Sequence, residues 1–158
     1  EVFWYGCGHC FNLAPAVSKW SKQKDSSVNL QKMPVTWGPV HQLHAKLFYT
    51  IEALGIGETG HTAVFTAIHK EGNFLSSDGA ILDFLEKLGM DRSETIKYMN
   101  SFSVRQKVKR AIEISKQFKV TATPMMFVDG QYRVEAKGGS SKMLKVVDHV
   151  IELQKPIS

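Results

Sequence analysis

Cysteine is scarce in this sequence: only Cys7 and Cys10 occur among 158 residues. A chain of this length can bury a stable core without disulfide staples, so the two thiols are available for chemistry. A structural zinc site would need two further ligands, and none stands at a suitable spacing. We therefore expect neither a metal nor another cofactor.

Long apolar runs are also missing. No stretch approaches the roughly 18 apolar residues that a transmembrane helix requires. No signal-like leader precedes the first predicted strand, and we expect the natural chain to continue upstream of Glu1, with any export signal outside this sequence. Internal repeats and low-complexity segments are lacking as well, which favours a single globular domain with an insertion.

An excess of positive charge is present but modest, at +5. The basic residues concentrate near one segment, and they are Arg105, Lys107, Lys109, Arg110, Lys116 and Lys119. Apolar residues recur there at helical spacing, so the charges are typical of the solvated face of an amphipathic helix. No nucleic-acid-binding motif accompanies them, and we expect no nucleic-acid partner.

The hydrophobic pattern predicts strands and helices in a mixed order. Strands are predicted at Glu1–Tyr5, Val28–Val35, Met125–Val128 and Gln131–Val134, and helices at Phe11–Trp20, in four runs between Val40 and Phe102, at Val104–Phe118 and at Ser140–Leu153. The Asp129-Gly130 pair predicts a hairpin turn. Glycines that predict helix ends are Gly55, Gly72 and Gly89, and Asp91 to Glu94 resembles a capping box. This order predicts an α/β core interrupted by helices.

Cys7-Gly8-His9-Cys10 lies between the first strand and the first helix. A helix N-terminus offers free amides and partial positive charge, both of which stabilise a thiolate. The His9 ring would add to this stabilisation, and Gly8 would permit close approach of a substrate backbone. The motif therefore predicts thiol–disulfide exchange.

The whole chain resembles the DsbA family of bacterial thiol:disulfide oxidoreductases. The resemblance rests on the Cys-x-x-Cys motif after Glu1-Val2-Phe3-Trp4-Tyr5, on Thr123-Pro124 before the Met125 strand, and on the 114 positions between Cys10 and Pro124, which inserted helices fill. It implies a thioredoxin-like fold, formed by residues 1–37 and 105–158, interrupted by an all-helical inserted domain, residues 38–104.

The resemblance also implies roles for individual residues. Cys7 would be the exposed nucleophile and Cys10 the buried resolving thiol. A cis-proline loop at Thr123-Pro124 would border the substrate groove. Glu1 and Lys32 would lie beneath the cysteines and modulate their pKa values. The sequence departs from the family at two places. Many members have Pro-His between the cysteines, where this chain has Gly8-His9, and they have a second acidic residue where this chain has Ala14.

The function implied is that of a periplasmic, monomeric oxidase that introduces disulfides into exported proteins during folding and is reoxidised by a DsbB-like membrane quinone reductase. A disulfide isomerase or reductase is an alternative, since Cys-Gly-His-Cys also occurs in protein disulfide isomerases. A thioredoxin-fold chaperone or interaction module with a merely structural disulfide is a third possibility. Ordinary exposed charges remain an alternative for Glu1 and Lys32, as do surface or core positions for His41, His44, His61 and His69.

Overall fold

The computed structural model describes residues 1–154, which form four short strands and seven helices. In chain order these are β1 (Val2–Phe3), α1 (Gly8–Lys22), β2 (Met33–Pro34), α2 (Pro39–Ala53), α3 (Gly57–His69), α4 (Asp78–Lys87), α5 (Arg92–Met99), α6 (Phe102–Gln117), β3 (Met125–Val128), β4 (Tyr132–Glu135) and α7 (Ser140–Gln154). The chain divides into two compact units. The first holds Glu1–Phe3, Cys7–Met33 and residues 122–154, and the second holds Trp4–Gly6 and Pro34–Thr121.

The strands form one sheet in the order β2-β1-β3-β4. Val2 of β1 pairs with Met125 of β3 in antiparallel register, and β3 and β4 pair as an antiparallel hairpin. The hairpin turn places Asp129 and Gly130 at φ of 52° and 65°, as a type I′ turn requires. The Asp-Gly signal in the sequence is thus confirmed.

The first unit buries an apolar core in which α1 and α7 contact each other and α7 contacts β3 and β4. The buried core residues are Leu13, Val17, Trp20, Met126, Val134, Met143, Leu144 and Val147. Trp20 also donates its indole N–H to an Asp148 carboxylate oxygen at 2.8 Å. This bond ties α1 to α7 at the edge of the core.

The second unit is organised around α2, which packs against α3, α5 and α6. Side-chain caps begin three of its helices: Ser77, Asp91 and Ser101 each accept a bond from the backbone N–H three residues later. Helix ends at Gly55, Gly72 and Gly89 have positive φ, at 75°, 69° and 89°. The helix ends predicted from these glycines are therefore confirmed.

Two predicted strands are much shorter in the structure. The strand predicted for Glu1–Tyr5 contains only Val2–Phe3, because Trp4 and Tyr5 hydrogen-bond to histidine side chains. Of Val28–Val35 only Met33–Pro34 is a strand. Residues 28 to 32 still alternate between partly buried and exposed side chains. The alternating apolar pattern in the sequence therefore reflects alternating burial, although these residues do not form a strand.

Contacts assign α6 to the second unit, whereas the predicted domain boundaries place most of it, from residue 105 on, in the thioredoxin-like domain. The predicted boundaries, 1–37 with 105–158 and 38–104, stay a prediction, and residues 155–158 of that range lie outside the described residues. Between residues 1 and 154, no helix combines the length and the apolar character needed to cross a membrane.

Candidate active site

Cys7 is the N-cap residue of α1. Its backbone is extended, with φ of −85° and ψ of 114°, and its Sγ accepts a hydrogen bond from the Cys10 backbone N–H at 3.2 Å. The Cys7 carbonyl accepts the first helical bond, from Phe11 N–H at 3.0 Å. The sulfur atom therefore occupies the position that a serine or aspartate oxygen takes in an ordinary helix cap.

The pKa of Cys7 is lowered from its ordinary value of 9.0 to about 5. The largest cause is hydrogen bonding from Cys10, and partial burial of the thiol opposes it. The Thr123 side chain and the backbone N–H groups of Cys10 and His9 lower the pKa further. At neutral pH the sulfur is therefore a thiolate, the form that attacks disulfides and is the better leaving group.

Cys7 and Cys10 differ in access. The structure holds both in the dithiol form, with Cys7 partly exposed and only 1% of the Cys10 surface accessible. Gly8 and His9 between them are exposed in the first turn of α1. A protein substrate can thus reach the Cys7 sulfur directly but not that of Cys10.

Thr123 and Pro124 lie beside the Cys7 thiol, although 116 positions separate Thr123 from it in sequence. The thiol Sγ donates to the Thr123 carbonyl oxygen at 3.7 Å, and the Thr123–Pro124 peptide bond is cis. Pro124 is buried and Thr123 is partly exposed. The cis-proline loop expected from the sequence is therefore present, next to the thiol.

A cavity of about 430 Å³ opens along this loop. Its walls include His9 from α1, Thr123 and Pro124, and Glu135 from β4. Leu13 also lines this cavity, so its walls hold both apolar and polar groups. The volume suits a few side chains of an extended peptide.

Glu1 and Lys32 occupy a separate place in the first unit. Glu1 lines another cavity, of about 580 Å³, together with Trp20 and Met126. Within residues 1–154 its buried Oε2 atom has no hydrogen-bond partner. Burial raises the pKa of the Glu1 carboxyl, and the positive charges of its own amino group and of Lys32 lower it. Glu1 and Lys32 are therefore coupled electrostatically, while their effect on the cysteines stays a prediction.

The structure shows an arrangement in the second unit that the sequence did not reveal. The Trp4 indole N–H donates to His44 Nδ1 at 3.1 Å, and His44 Nε2 lies 3.0 Å from the Phe74 carbonyl oxygen. Because an indole only donates, Nδ1 must accept, and Nε2 carries the proton. Burial lowers the pKa of this fully buried histidine and favours that neutral form.

Tyr5 is held in a similar way. The His69 Nε2 atom lies 2.7 Å from the Tyr5 carbonyl oxygen, and His61 Nδ1 lies 3.0 Å from the Tyr5 hydroxyl. Burial raises the pKa of Tyr5 well above its ordinary value, so the hydroxyl keeps its proton. The Trp4–Tyr5 segment, which ends two residues before Cys7, is thus held by three histidines, for which the sequence suggested only surface or core positions.

No group of three or more potential metal ligands from histidine, cysteine or carboxylate side chains occurs in the described part of the chain. The surroundings of the cysteine pair are a helix N-terminus, a proline loop and an open cavity, an arrangement that suits thiol–disulfide chemistry.

Known proteins are similar to this chain in both sequence and fold. The family model described as DSBA-like thioredoxin domain matches residues 40–150. The thiol:disulfide interchange protein DsbA of Azotobacter vinelandii is 33% identical over 98% of this chain and 73% of its own length. The protein of the same name from Pseudomonas aeruginosa is 34% identical over 98% and 74%.

Solved structures agree. The crystal structure of Pseudomonas aeruginosa DsbA has a TM-score of 0.93 at 34% identity and covers 98% of this chain and 81% of that one. The oxidoreductase DsbA from Xylella fastidiosa, 22% identical, shares the fold at a TM-score of 0.91 over 98% of this chain and 83% of that one. The predicted thioredoxin-like α/β fold with inserted helices is confirmed, and the chain belongs to the DsbA family.

Proposed function

We propose that this protein is a dithiol oxidase that donates a Cys7–Cys10 disulfide to exported proteins. As a member of the DsbA family it is a thiol:disulfide oxidoreductase that exchanges disulfides with substrate proteins. The observation that supports the oxidising direction is the capped, half-buried Cys7 sulfur with its pKa of about 5. Stabilising the thiolate stabilises the reduced enzyme, so its disulfide is a stronger oxidant.

The first chemical step forms a mixed disulfide. A thiolate of the substrate protein attacks Cys7 Sγ of the oxidised enzyme, the Cys7–Cys10 bond breaks, and Cys10 leaves as a thiolate that takes up a proton. Attack falls on Cys7 because Cys10 is buried. One substrate sulfur is then bonded to Cys7, and Cys10 has left with the bonding electron pair of the broken Cys7–Cys10 disulfide.

The second step releases the product. A second substrate thiolate attacks the substrate sulfur in the mixed disulfide, which forms the substrate disulfide and expels Cys7. The departing Cys7 thiolate is received by the Cys10 N–H, 3.2 Å from the sulfur. Two substrate thiols have been oxidised, and the enzyme disulfide has been reduced to two thiols.

Substrate binding would use the cavity beside the proline loop. Thr123 can offer backbone groups to an extended chain, while Pro124 has no N–H that would compete for them. His9 and Gly8 form the exposed approach to the sulfur. In this proposal Cys7, Cys10 and His9 are catalytic, Gly8, Thr123 and Pro124 bind substrate, and Glu1 with Lys32 modulates the pKa values of the dithiol.

Reoxidation of the enzyme and its cellular location are part of the same proposal. Donating one disulfide leaves the enzyme reduced, so an oxidant must regenerate it, and a DsbB-like membrane quinone reductase would serve. The protein would act as a monomer in the periplasm. Folding proteins that still carry free thiols would be its substrates.

The test uses peptide dithiols and two matched variants. The oxidised enzyme should convert a two-cysteine peptide to its disulfide with loss of one enzyme disulfide per peptide. Cys7→Ala and Cys10→Ala should both abolish turnover, but only Cys10→Ala should react readily with iodoacetamide at pH 6, because it keeps the accessible Cys7 sulfur with its backbone N–H donors, whereas Cys7→Ala keeps only the buried thiol. Equal alkylation rates would contradict the assignment of roles.

The direction of electron flow is tested by the reduction potential. Equilibration with glutathione should leave this dithiol more reduced than that of a protein disulfide isomerase with the same Cys-Gly-His-Cys motif. A potential equal to or below that of the isomerase would contradict an oxidase and favour an isomerase or reductase.

A further inference from the structure

The solvent-facing side of α6 is unusually basic for this chain. The helix carries five cations, Arg105, Lys107, Lys109, Arg110 and Lys116, and a single carboxylate, Glu113. Its net charge of +4 accounts for most of the +5 of the whole chain. The disulfide chemistry described above makes no use of this helix.

Two of these cations, Lys109 and Lys116, lie on one exposed stripe of the helix. Phe102, Gln106, Lys109, Glu113 and Lys116 recur at intervals of four and three residues, so they share one helix face. The opposite face is buried through Val104, Ala111 and Ser115. The exposed stripe, with Lys107 and Arg110 beside it, is hereafter the basic face of α6.

The charges of the basic face are not neutralised within the unit. In the part of the chain that the structure describes, no carboxylate lies within salt-bridge distance of Lys109, Arg110 or Lys116. Lys107 lies over the Tyr49 ring, with its Nζ 5.8 Å from the ring centroid. These cations are therefore available to an anionic partner.

An exposed aromatic side chain stands at the start of the same face. Phe102 is 70% exposed, the highest value among the large hydrophobic side chains described as exposed. It lines a depression of about 620 Å³ together with Gln106, Lys109 and Arg110. A single bulky apolar side chain beside several cations can insert among lipid headgroups while the cations contact the phosphates.

We infer that the basic face of α6 binds the surface of a membrane that contains anionic phospholipids, with Phe102 inserted among the headgroups. Charge complementarity favours a lipid surface: exposed cations are spread along a 16-residue helix, and no motif for base recognition accompanies them. Such binding would hold the enzyme beside membrane-embedded partners. It does not depend on the disulfide chemistry.

The test is co-sedimentation with vesicles of phosphatidylcholine alone or with about one third phosphatidylglycerol. The wild-type protein should bind only the anionic vesicles, and binding should weaken at high salt. Since each cation near such a surface strengthens binding about fivefold, the triple variant Lys109→Gln, Arg110→Gln, Lys116→Gln should bind about 100-fold more weakly. Phe102→Ala should lose about tenfold.

A matched control removes the same charge elsewhere. Lys19→Gln, Lys87→Gln, Lys145→Gln changes three exposed lysines outside α6 and should retain most of the binding. Cys7→Ser should bind like wild type, which separates this inference from the proposed redox function. Equal loss in both triple variants, equal binding to neutral vesicles, no vesicle binding, or binding to heparin but not to vesicles would each overturn the inference. Thermal unfolding of each variant checks that it is folded.

Discussion

Replacing Cys7 with serine should remove a specific part of the pH dependence of folding stability. In the reduced protein the folded-state pKa of Cys7 is about 5, whereas the unfolded thiol keeps its ordinary value of 9.0. Between these values the unfolded chain binds one more proton than the folded chain, so stability rises with pH. The contribution is complete above pH 9 and is lost as pH falls to 5.

The magnitude follows from that difference. From pH 5 to pH 8 the slope of about 1.36 kcal/mol per pH unit gives an upper bound of about 4 kcal/mol. Because Cys7 is only half-buried and solvent screens its charge, we expect about 2 kcal/mol, or a change in melting temperature of about 4 to 8 °C.

The assay compares urea unfolding of reduced wild type and reduced Cys7→Ser at each pH. All other titrating groups are common to the two proteins, so the difference between the curves isolates the thiolate. The difference should grow from pH 5 to pH 8 in favour of wild type. Parallel curves would show that the helix N-terminus does not stabilise the thiolate, and the argument for an oxidising disulfide would fail with it.

Three further changes test the surroundings of the thiol. Thr123→Val removes a side-chain hydrogen bond and should raise the Cys7 pKa, seen as a shift of the ultraviolet thiolate absorbance to higher pH, whereas Thr123→Ser should not. Gly8→Pro fills open space at the first position of α1 and leaves the Cys10 N–H in place. The free energy of unfolding in urea should rise by about 0.5 to 1 kcal/mol, and the Cys7 pKa should not change. His44→Leu leaves the Trp4 N–H unpaired and should cost about 2 kcal/mol in urea unfolding at pH 8. Because the folded-state pKa of His44 is lowered from 6.5, wild type should lose stability as pH falls below 6.5, and this variant should lose less.

Local signals in the sequence were sufficient for most of the fold. Glycine at helix ends and Asp-Gly in the hairpin act through the backbone conformation of one or two residues, so no knowledge of the tertiary structure is needed to interpret them. The Val28–Val35 segment was mispredicted because alternating burial can arise without pairing. Pro34 has no N–H to donate, and Gln31 and Met33 bond to Glu1, which precedes β1, through their carbonyl and N–H groups respectively.

Part of the active site was predictable because its signals are local in the sequence. Cys7 to Cys10 is contiguous in sequence, and Thr123-Pro124 has a recognisable composition. The contacts of Trp4 and Tyr5 with three histidines were not predictable, because they join residues 40 to 64 positions apart and a histidine in a helix has many possible partners. The predicted roles of Glu1 and Lys32 depend on whether their side chains are buried, and the burial of a charged residue cannot be predicted from its place in the sequence.

The cap of α1 is also the reacting atom. When Cys7 forms a disulfide its sulfur loses the negative charge, and the Cys10 N–H loses a strong acceptor. Each catalytic cycle therefore alternately strengthens and weakens the first turn of a 15-residue helix. Hydrogen exchange of the single Cys10 amide would follow the oxidation state of the enzyme, slow in the thiolate and faster in the disulfide, without any added probe.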